Sequence, residues 1–167
     1  MAKYCPEKNG QALYTECLEC ETNACEKRLF YCLVAGTRGY NDYGEFAAVM
    51  DRLLSKQDKK NVVIVSGHCG TGADALAEKY AEEHGMETRL FPADWKRGGK
   101  KAGYIRNREM HEYIAKNGDS GHRGVVLFWD MESPGTGHSI GLAEEFGNPV
   151  RIFDINRHRF AKKEEKQ

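Results

Sequence analysis

Apolar residues along the chain fall into short runs that alternate with stretches of helical spacing, and polar loops separate the two kinds of segment. The clearest run is Val62–Val65, four β-branched residues in succession, which predicts a strand buried on both faces of a sheet. After the loop that follows it, small and apolar residues recur at the spacing of one helix face: Ala73, Leu76, Ala77, Tyr80 and Ala81. This segment therefore predicts a strand, a loop and a helix.

The same alternation predicts further strands at residues 29–35, 87–91, 125–129 and 150–153, with helices between them. Strands that alternate with helices are typical of an α/β domain, with an open parallel sheet of about five strands and helices on both faces. We expect this domain to cover residues 29–155. Residues 1–28 form a separate cysteine-rich segment, and residues 156–167 form a charged tail that we expect to fray.

Glycine-bearing loops follow three of the predicted strands, at Gly36–Gly39, Gly67–Gly72 and Gly135–Gly137. Glycine permits backbone conformations closed to other residues and lets a ligand approach the main chain. Each loop then enters a helix, whose unpaired N–H groups and positive dipole end attract anions, most often phosphate. In open parallel sheets, ligands bind beyond the carboxyl ends of the strands. The loops therefore predict a nucleotide-like ligand at that edge, against the alternative that the glycines only form tight turns.

A basic stretch follows the third predicted strand. Trp95 precedes Lys96–Lys101, which we expect to be a flexible loop, and the next helix carries Arg106 and Asn107, with Met110 on the face of Arg106. On its own, such a loop is typical of a solvated surface. Together with the tryptophan and the arginine, it favours an aromatic wall for a base and positive charge for phosphates.

Four cysteines lie in the polar amino-terminal segment: Cys5, Cys17, Cys20 and Cys25. The two residues between Cys17 and Cys20 let both thiolates reach one ion, which is the usual half-site of structural zinc sites. Four thiolates complete a tetrahedral site with no open position, so we expect a structural zinc knuckle. An iron–sulfur cluster uses the same kind of ligands, and free thiols are the remaining alternative.

The composition is that of an ordinary soluble globular protein, with 40% hydrophobic residues, 30% charged residues and a formal net charge of zero. A neutral chain lacks the positive field that draws proteins to nucleic acid or membranes, so we expect neither as a partner. No apolar run approaches the ~20 residues that span a bilayer, and the amino terminus lacks the apolar core of a signal peptide. We therefore expect a cytoplasmic protein with reduced thiols, in which Cys32 is a buried small side chain. No base is evident in the sequence that would make Cys69 a nucleophile.

Five motifs in order resemble the YspA/YpsA-related branch of the SLOG superfamily, over about residues 30–153. They are Ala35–Arg38, Ser66–Asp74, Pro92–Trp95, Ala102–Met110 and Ser133–Thr136. The resemblance implies a Rossmann-like fold and a nucleotide or nucleotide-derived ligand, such as a phosphorylated ribose or an ADP-ribose-like molecule. Relatives of this branch include the LOG phosphoribohydrolases and the DNA-processing protein DprA. Because members of the family often pair, the resemblance also allows a homo-oligomer that binds its ligand between subunits.

Matching the motifs residue by residue gives the ligand-binding positions that the resemblance implies. The first loop supplies phosphate or sugar contacts, Asp74 binds a ribose hydroxyl or caps its helix, and Arg106–Asn107 and Gly135–Thr136 match the family's Arg-Asn and Gly-Thr pairs. The full predicted set is Gly36, Thr37, Arg38, Ser66, Gly67, Gly70, Gly72, Asp74, Asp94, Trp95, Arg106, Asn107, Met110, Asp130, Gly135 and Thr136. In the LOG enzymes a glutamate after the Gly-Thr pair serves cleavage of an N-glycosidic bond, and the corresponding residue here is Ser139.

Because Ser139 stands where the LOG enzymes have their glutamate, we rank three hypotheses about function as follows. The favoured one is a sensor or sequestering domain that binds a nucleotide-derived ligand. The alternative is a hydrolase that cleaves an N-glycosidic bond of a nucleotide, with Asp94, Asp130 or Glu132 in place of the glutamate. The third is a nucleic-acid-associated module that uses the cysteine knuckle as its reader.

Overall fold

A computed structural model describes residues 2–5, 10–13 and 29–162 of the 167-residue chain. The strands in this part of the chain are β1 (Ala2–Cys5), β2 (Gly10–Leu13), β3 (Phe30–Gly36), β4 (Val62–Ser66), β5 (Glu87–Leu90), β6 (Arg123–Trp129), β7 (Val150–Asp154) and β8 (Arg159–Phe160). The helices are α1 (Tyr43–Leu53), α2 (Gly72–His84), α3 (Trp95–Gly98), α4 (Ala102–Asn117) and α5 (Pro134–Phe146). Short 3-10 turns occupy Lys59–Asn61 and Gly99–Lys101.

The described residues form a six-stranded sheet in the order β5-β4-β3-β6-β7-β8, in which only β8 runs antiparallel to its neighbour. The chain moves outward from β3 to β4 and β5, and then returns to the other side of β3 to form β6 and β7. This order confirms the predicted α/β fold with a parallel, Rossmann-like core. The strand order reverses between β3 and β6, which is where such sheets leave a crevice for ligands.

The central strands are buried because helices cover both faces of the sheet. Alternate residues of β3 point to opposite faces. Cys32 and Val34 pack in the cluster that includes α1 and α2, whereas Leu33 and Ala35 pack in the cluster that includes α4 and α5. Burial raises the pKa of the Cys32 thiol to about 12, which confirms that this cysteine behaves as a small core residue.

Two segments differ from the sequence-based expectation. The basic stretch after Asp94 is not a flexible loop but the short helix α3 and a 3-10 turn, and the Asp94 carboxylate accepts a hydrogen bond from Arg97 N at 3.1 Å. The expected frayed tail contains β8, in which Phe160 pairs with Phe153 and packs its ring edge-on against it at 5.5 Å. A phenylalanine that finds an apolar neighbour across the sheet edge thus extends the folded domain past residue 155.

In the amino-terminal segment, β1 and β2 pair antiparallel, with Ala2 opposite Leu13 and Cys5 opposite Gly10. Cys17, Cys20 and Cys25 lie outside the described residues, as does the side chain of Cys5. Among the described side chains, no group of three or more histidine, cysteine or acidic residues is arranged to hold a metal ion. The zinc knuckle therefore stays a prediction. No helix in the described ranges has the length and apolar character needed to cross a bilayer.

Candidate functional site

Three loops converge on one cavity at the carboxyl edge of the sheet. They follow β3, β4 and β6, and they meet at the point where the strand order reverses. The cavity has a volume of about 430 Å³, within the range of small-molecule sites. Its lining residues are Ala35, Gly36, Thr37, Arg38, Gly39, Cys69, Thr71, Asp74, Trp95, Lys100, Gly103, Tyr104, Arg106, Asn107, Met110, Ser133, Pro134, Gly135, Thr136 and Ser139.

Two glycines let the backbone come close enough to form this cavity. A Cβ atom on Gly36 would lie 2.2 Å from the carbonyl oxygen of Phe128, so only glycine lets the end of β3 pass β6 at this distance. Gly72, the first residue of α2, has φ of +71°, and a Cβ there would meet Thr37 O at 2.5 Å. These close approaches bring the first loop against the start of α2.

Arg106 and Asn107 on α4 connect the second and third loops across the cavity. Arg106 Nη1 donates to Gly67 O at 2.5 Å, and Arg106 Nε donates to Asn107 Oδ1 at 3.2 Å. Asn107 Nδ2 in turn donates to Gly135 O at 3.3 Å. The Arg-Asn pair of the sequence motif thus fixes the spacing of two ligand loops, and Arg106 also lines the cavity.

Asp74 is the one carboxylate among the described residues that lines the cavity. It lies in the first turn of α2, is 7% exposed and accepts a hydrogen bond from Cys69 N at 3.2 Å. Burial raises the pKa of Asp74 to about 6, although the Cys69 hydrogen bond and the charges of Arg106 and Arg38 act to lower the pKa. Burial of an ionised carboxylate lowers the stability of the fold, and a buried carboxylate beside two guanidinium groups is typical of functional sites.

The N-termini of α2 and α5 both face the cavity, through Thr71 and through Ser133–Thr136. Within the described structure, neither Thr71 nor Ser133 caps its helix with a side-chain hydrogen bond. Asp74 already places negative charge at the start of α2, whereas no acidic residue lies in the first turn of α5. Ser139, 1% exposed, lines the cavity on the same helix, and its Oγ atom has no hydrogen-bond partner within the described chain. The start of α5 therefore presents uncapped N–H groups and an unpartnered hydroxyl to the cavity, an arrangement typical of anion sites.

Aromatic side chains border the cavity on the side of α3 and α4. Trp95 is 51% exposed, and Arg38 Cζ lies 5.8 Å from the centroid of its ring. Tyr104 is 42% exposed and packs edge-on against His138 at 4.7 Å. Half-exposed aromatic faces at the mouth of a cavity lined by cationic side chains are suited to stacking against a flat base.

Ten of the sixteen predicted ligand residues line the cavity: Gly36, Thr37, Arg38, Asp74, Trp95, Arg106, Asn107, Met110, Gly135 and Thr136. The other six are not among its lining residues: Ser66, Gly67, Gly70, Gly72, Asp94 and Asp130. Several of these six shape the loops. The Asp130 carboxylate accepts from the backbone N–H groups of Glu132 and Ser133 and from Ser133 Oγ, and Ser66 Oγ bonds to Glu78 Oε1.

The acids named as substitutes for the LOG glutamate, Asp94, Asp130 and Glu132, do not line the cavity either. The Asp94 carboxylate accepts from Arg97 N, and the Asp130 carboxylate accepts from the N–H groups of Glu132 and Ser133, so both stabilise the backbone of their own loops. Ten lining residues were not in the predicted ligand set: Ala35, Gly39, Cys69, Thr71, Lys100, Gly103, Tyr104, Ser133, Pro134 and Ser139. Gly103 lies on α4 four residues before Asn107, so the helical period finds it, whereas Lys100 lies in the 3-10 turn that precedes this helix.

Comparison with known proteins gives two matches. The sequence profile described as the YspA, cpYpsA-related SLOG family matches residues 31–98. The chain is also similar to the "Gene 61 protein" of Mycobacterium phage D29, with 32% identity over 128 residues, covering 72% of this chain and 94% of the phage protein. No solved structure matches the chain. The matched region spans β3 to α3, and so includes the first two cavity loops and Trp95.

Proposed function

Because the chain belongs to the YspA, cpYpsA-related SLOG family, we propose that it binds a nucleotide-derived ligand, a phosphorylated ribose or an ADP-ribose-like molecule. The convergence of the three loops on one cavity carries this proposal. The cations Arg38, Lys100 and Arg106 line that cavity, while the described residues contribute a single carboxylate to it. An anionic ligand with hydroxyl groups suits such a distribution of charge.

The phosphate of the ligand binds at the start of α5. The N–H groups there have no side-chain cap in the described structure, and the orphaned Ser139 Oγ offers a further donor. Asp74 repels phosphate from the start of α2 and accepts hydrogen bonds from ribose hydroxyls instead. The two helix ends thereby orient a ribose phosphate in one direction.

The base of the ligand stacks on Trp95, whose ring is half exposed at the cavity mouth. Arg38 contacts the ring system and stands in the loop after β3, so it links the aromatic wall to the phosphate side. Binding without turnover, as in a sensor or sequestering domain, is supported by Ser139, which has no carboxylate to assist cleavage.

Calorimetry with AMP and ADP-ribose tests the proposal. We expect measurable binding by the wild-type chain and at least tenfold weaker binding by Arg38→Met, because a charged phosphate contact is worth about 1.5–3 kcal/mol. Arg151→Met removes an equally exposed charge on β7, away from the cavity lining, and serves as the matched control. Absence of heat and of thermal shift with both ligands would refute the proposal.

Hydrolysis of the ligand is the second candidate function, and the position of Asp74 favours it. In that reaction water forms a bond to C1′ of the ribose, the C1′–N bond breaks with its electron pair going to the base, and Asp74 takes a proton from the water and passes it to the leaving nitrogen. A carboxylate with pKa of about 6 is suited to such proton transfer near neutral pH. Chromatography after incubation with AMP and NAD separates the candidates: free base that the Asp74→Asn variant fails to release indicates an enzyme, and unchanged ligands indicate binding alone.

A further inference from the structure

One stretch of the chain carries an excess of positive charge, most of which lies outside the cavity lining. Residues 95–108 contain six lysines and arginines and no aspartate or glutamate, although the whole chain has a formal net charge of zero. Two of these six, Arg106 and Arg108, have partners: Arg106 donates to Gly67 O, and Arg108 forms two hydrogen bonds to the Glu145 carboxylate at 2.6 and 3.1 Å.

The remaining four cations are Lys96, Arg97, Lys100 and Lys101. All four are exposed, and within the described chain none forms an ion pair. Some cations elsewhere have acidic neighbours, as in the pairs Arg89–Glu87 and Lys59–Asp51, whereas these four lie within six residues of sequence. The concentration of unneutralised charge on one turn of chain therefore sets this surface apart.

Exposed apolar side chains gather at the same place. The four large hydrophobic residues that are exposed in the described structure are Leu90, Trp95, Tyr104 and Ile105. All of them lie within sixteen residues of sequence, next to or among the four free cations. Cations interleaved with aromatic rings bind phosphates flanked by bases, because the rings stack and the cations neutralise.

The surface formed by Trp95, Lys96, Arg97, Lys100, Lys101 and Tyr104, which we call the rim, is continuous with the cavity. Trp95, Lys100 and Tyr104 line the cavity, and the other three cations adjoin them in sequence. The turn between α3 and α4 depends on Gly99, whose φ of +55° is a conformation that side chains rarely adopt. This turn joins the exposed cations before Gly99 to Lys100 at the cavity mouth.

We propose that the rim binds a second phosphate of the ligand, outside the cavity, so that the ligand is a pyrophosphate-linked nucleotide rather than a sugar monophosphate. This inference rests on the proposed function. The start of α5, with Ser139, holds one phosphate inside the cavity. Lys96, Arg97 and Lys101 are exposed and do not line the cavity that holds this phosphate, so they bind the next one, beside a base stacked on Trp95.

The test compares ADP-ribose, which carries a pyrophosphate and a base, with ribose 5-phosphate, which carries neither. The variant combines Lys96→Gln, Arg97→Gln and Lys101→Gln. Its matched control combines Lys56→Gln, Lys60→Gln and Lys116→Gln, three exposed lysines near the amino ends of the strands, at the opposite edge of the sheet. The measured quantity is the ratio of the two ligands' affinities, by calorimetry at two salt concentrations.

We expect the rim variant to lower the ratio of ADP-ribose to ribose 5-phosphate affinity about tenfold at low salt, and less at high salt, since exposed charge contacts are individually weak and screened. The control variant should leave the ratio within twofold. An unchanged ratio in the rim variant, with both ligands still binding, would overturn the rim proposal and leave the proposed function standing. If neither ADP-ribose nor ribose 5-phosphate bound to the wild-type chain, both the rim proposal and the proposed function would be overturned. Loss of single-stranded oligonucleotide binding in the rim variant, with ADP-ribose binding retained, would overturn the rim proposal in favour of nucleic acid.

Discussion

Replacement of Asp74 by asparagine should stabilise the protein at neutral pH. The carboxylate is 7% exposed, and its pKa is raised from 3.8 to about 6, chiefly by burial. At about 1.4 kcal/mol per pH unit, this difference amounts to about 3 kcal/mol that the folded state loses when Asp74 ionises. Asparagine has nearly the same shape, carries no charge and retains an oxygen atom that accepts from Cys69 N.

The pH dependence has a definite sign. The folded-state pKa of Asp74 lies above the unfolded value, so the contribution of Asp74 to the free energy of unfolding falls as pH rises from about 4 to about 6. The Asp74→Asn variant lacks this loss. Urea unfolding should therefore give a variant that is more stable by up to about 3 kcal/mol at pH 7.5, with a difference that shrinks towards zero near pH 4.

Asp130→Asn provides the matched control, because the pKa of Asp130 is lowered whereas that of Asp74 is raised. Burial raises the pKa of Asp130, but hydrogen bonds from Ser133 and Glu132 outweigh burial and lower it overall. That variant should lose stability at neutral pH. If Asp74→Asn were no more stable than wild type at pH 7.5, or if its advantage did not vary with pH, Asp74 would not be a carboxylate kept in the cavity at the expense of stability.

The other predictions concern the core, the ligand and the metal. Gly36→Ala should destabilise the fold by about 3 kcal/mol, since its Cβ would lie 2.2 Å from a carbonyl oxygen; Gly39→Ala, with open space around it among the described residues, is the control, and equal unfolding midpoints would contradict the argument. Burial lowers the pKa of His111 to about 4, so the unfolded chain takes up the proton first, and the contribution of His111 to the free energy of unfolding should fall by about 3 kcal/mol as pH drops from 6.5 to 4. A His111→Gln variant should lack this pH-dependent loss of stability. If the difference in unfolding free energy between the variant and wild type did not vary with pH, the prediction would be wrong. Arg106→Lys should weaken ADP-ribose binding at least tenfold in calorimetry, because lysine cannot reproduce the two bonds of the guanidinium; wild-type affinity would show that the bridge between the loops is dispensable. If the four amino-terminal cysteines form the predicted knuckle, elemental analysis should find one zinc per chain, whereas iron with visible absorbance would indicate a cluster.

The α/β fold could be predicted from the sequence because a strand that is buried on both faces of a sheet is a continuous run of apolar residues. Val62–Val65 contains no polar residue because helices cover both faces of β4. Asp42 precedes the first residue of α1 and Gly85 follows the last residue of α2, and both are residue types that the sequence rules associate with helix ends. The failures were local. The Lys96–Lys101 segment consists of polar and glycine residues that are typical of loops, yet Asp94 caps a short helix there.

What the sequence determined by itself was the order of elements and the presence of three glycine loops, because periodicity and turn residues act between near neighbours in the chain. Only the tertiary structure decided which side chains share the cavity. Asp74, Asp94 and Asp130 all lie after strands and each accepts a hydrogen bond from a backbone N–H group, yet only Asp74 of these three lines the cavity. Which side chains line the cavity depends on contacts between residues distant in sequence, such as the hydrogen bond from Arg106 to Gly67 O. A local sequence pattern does not reveal such contacts.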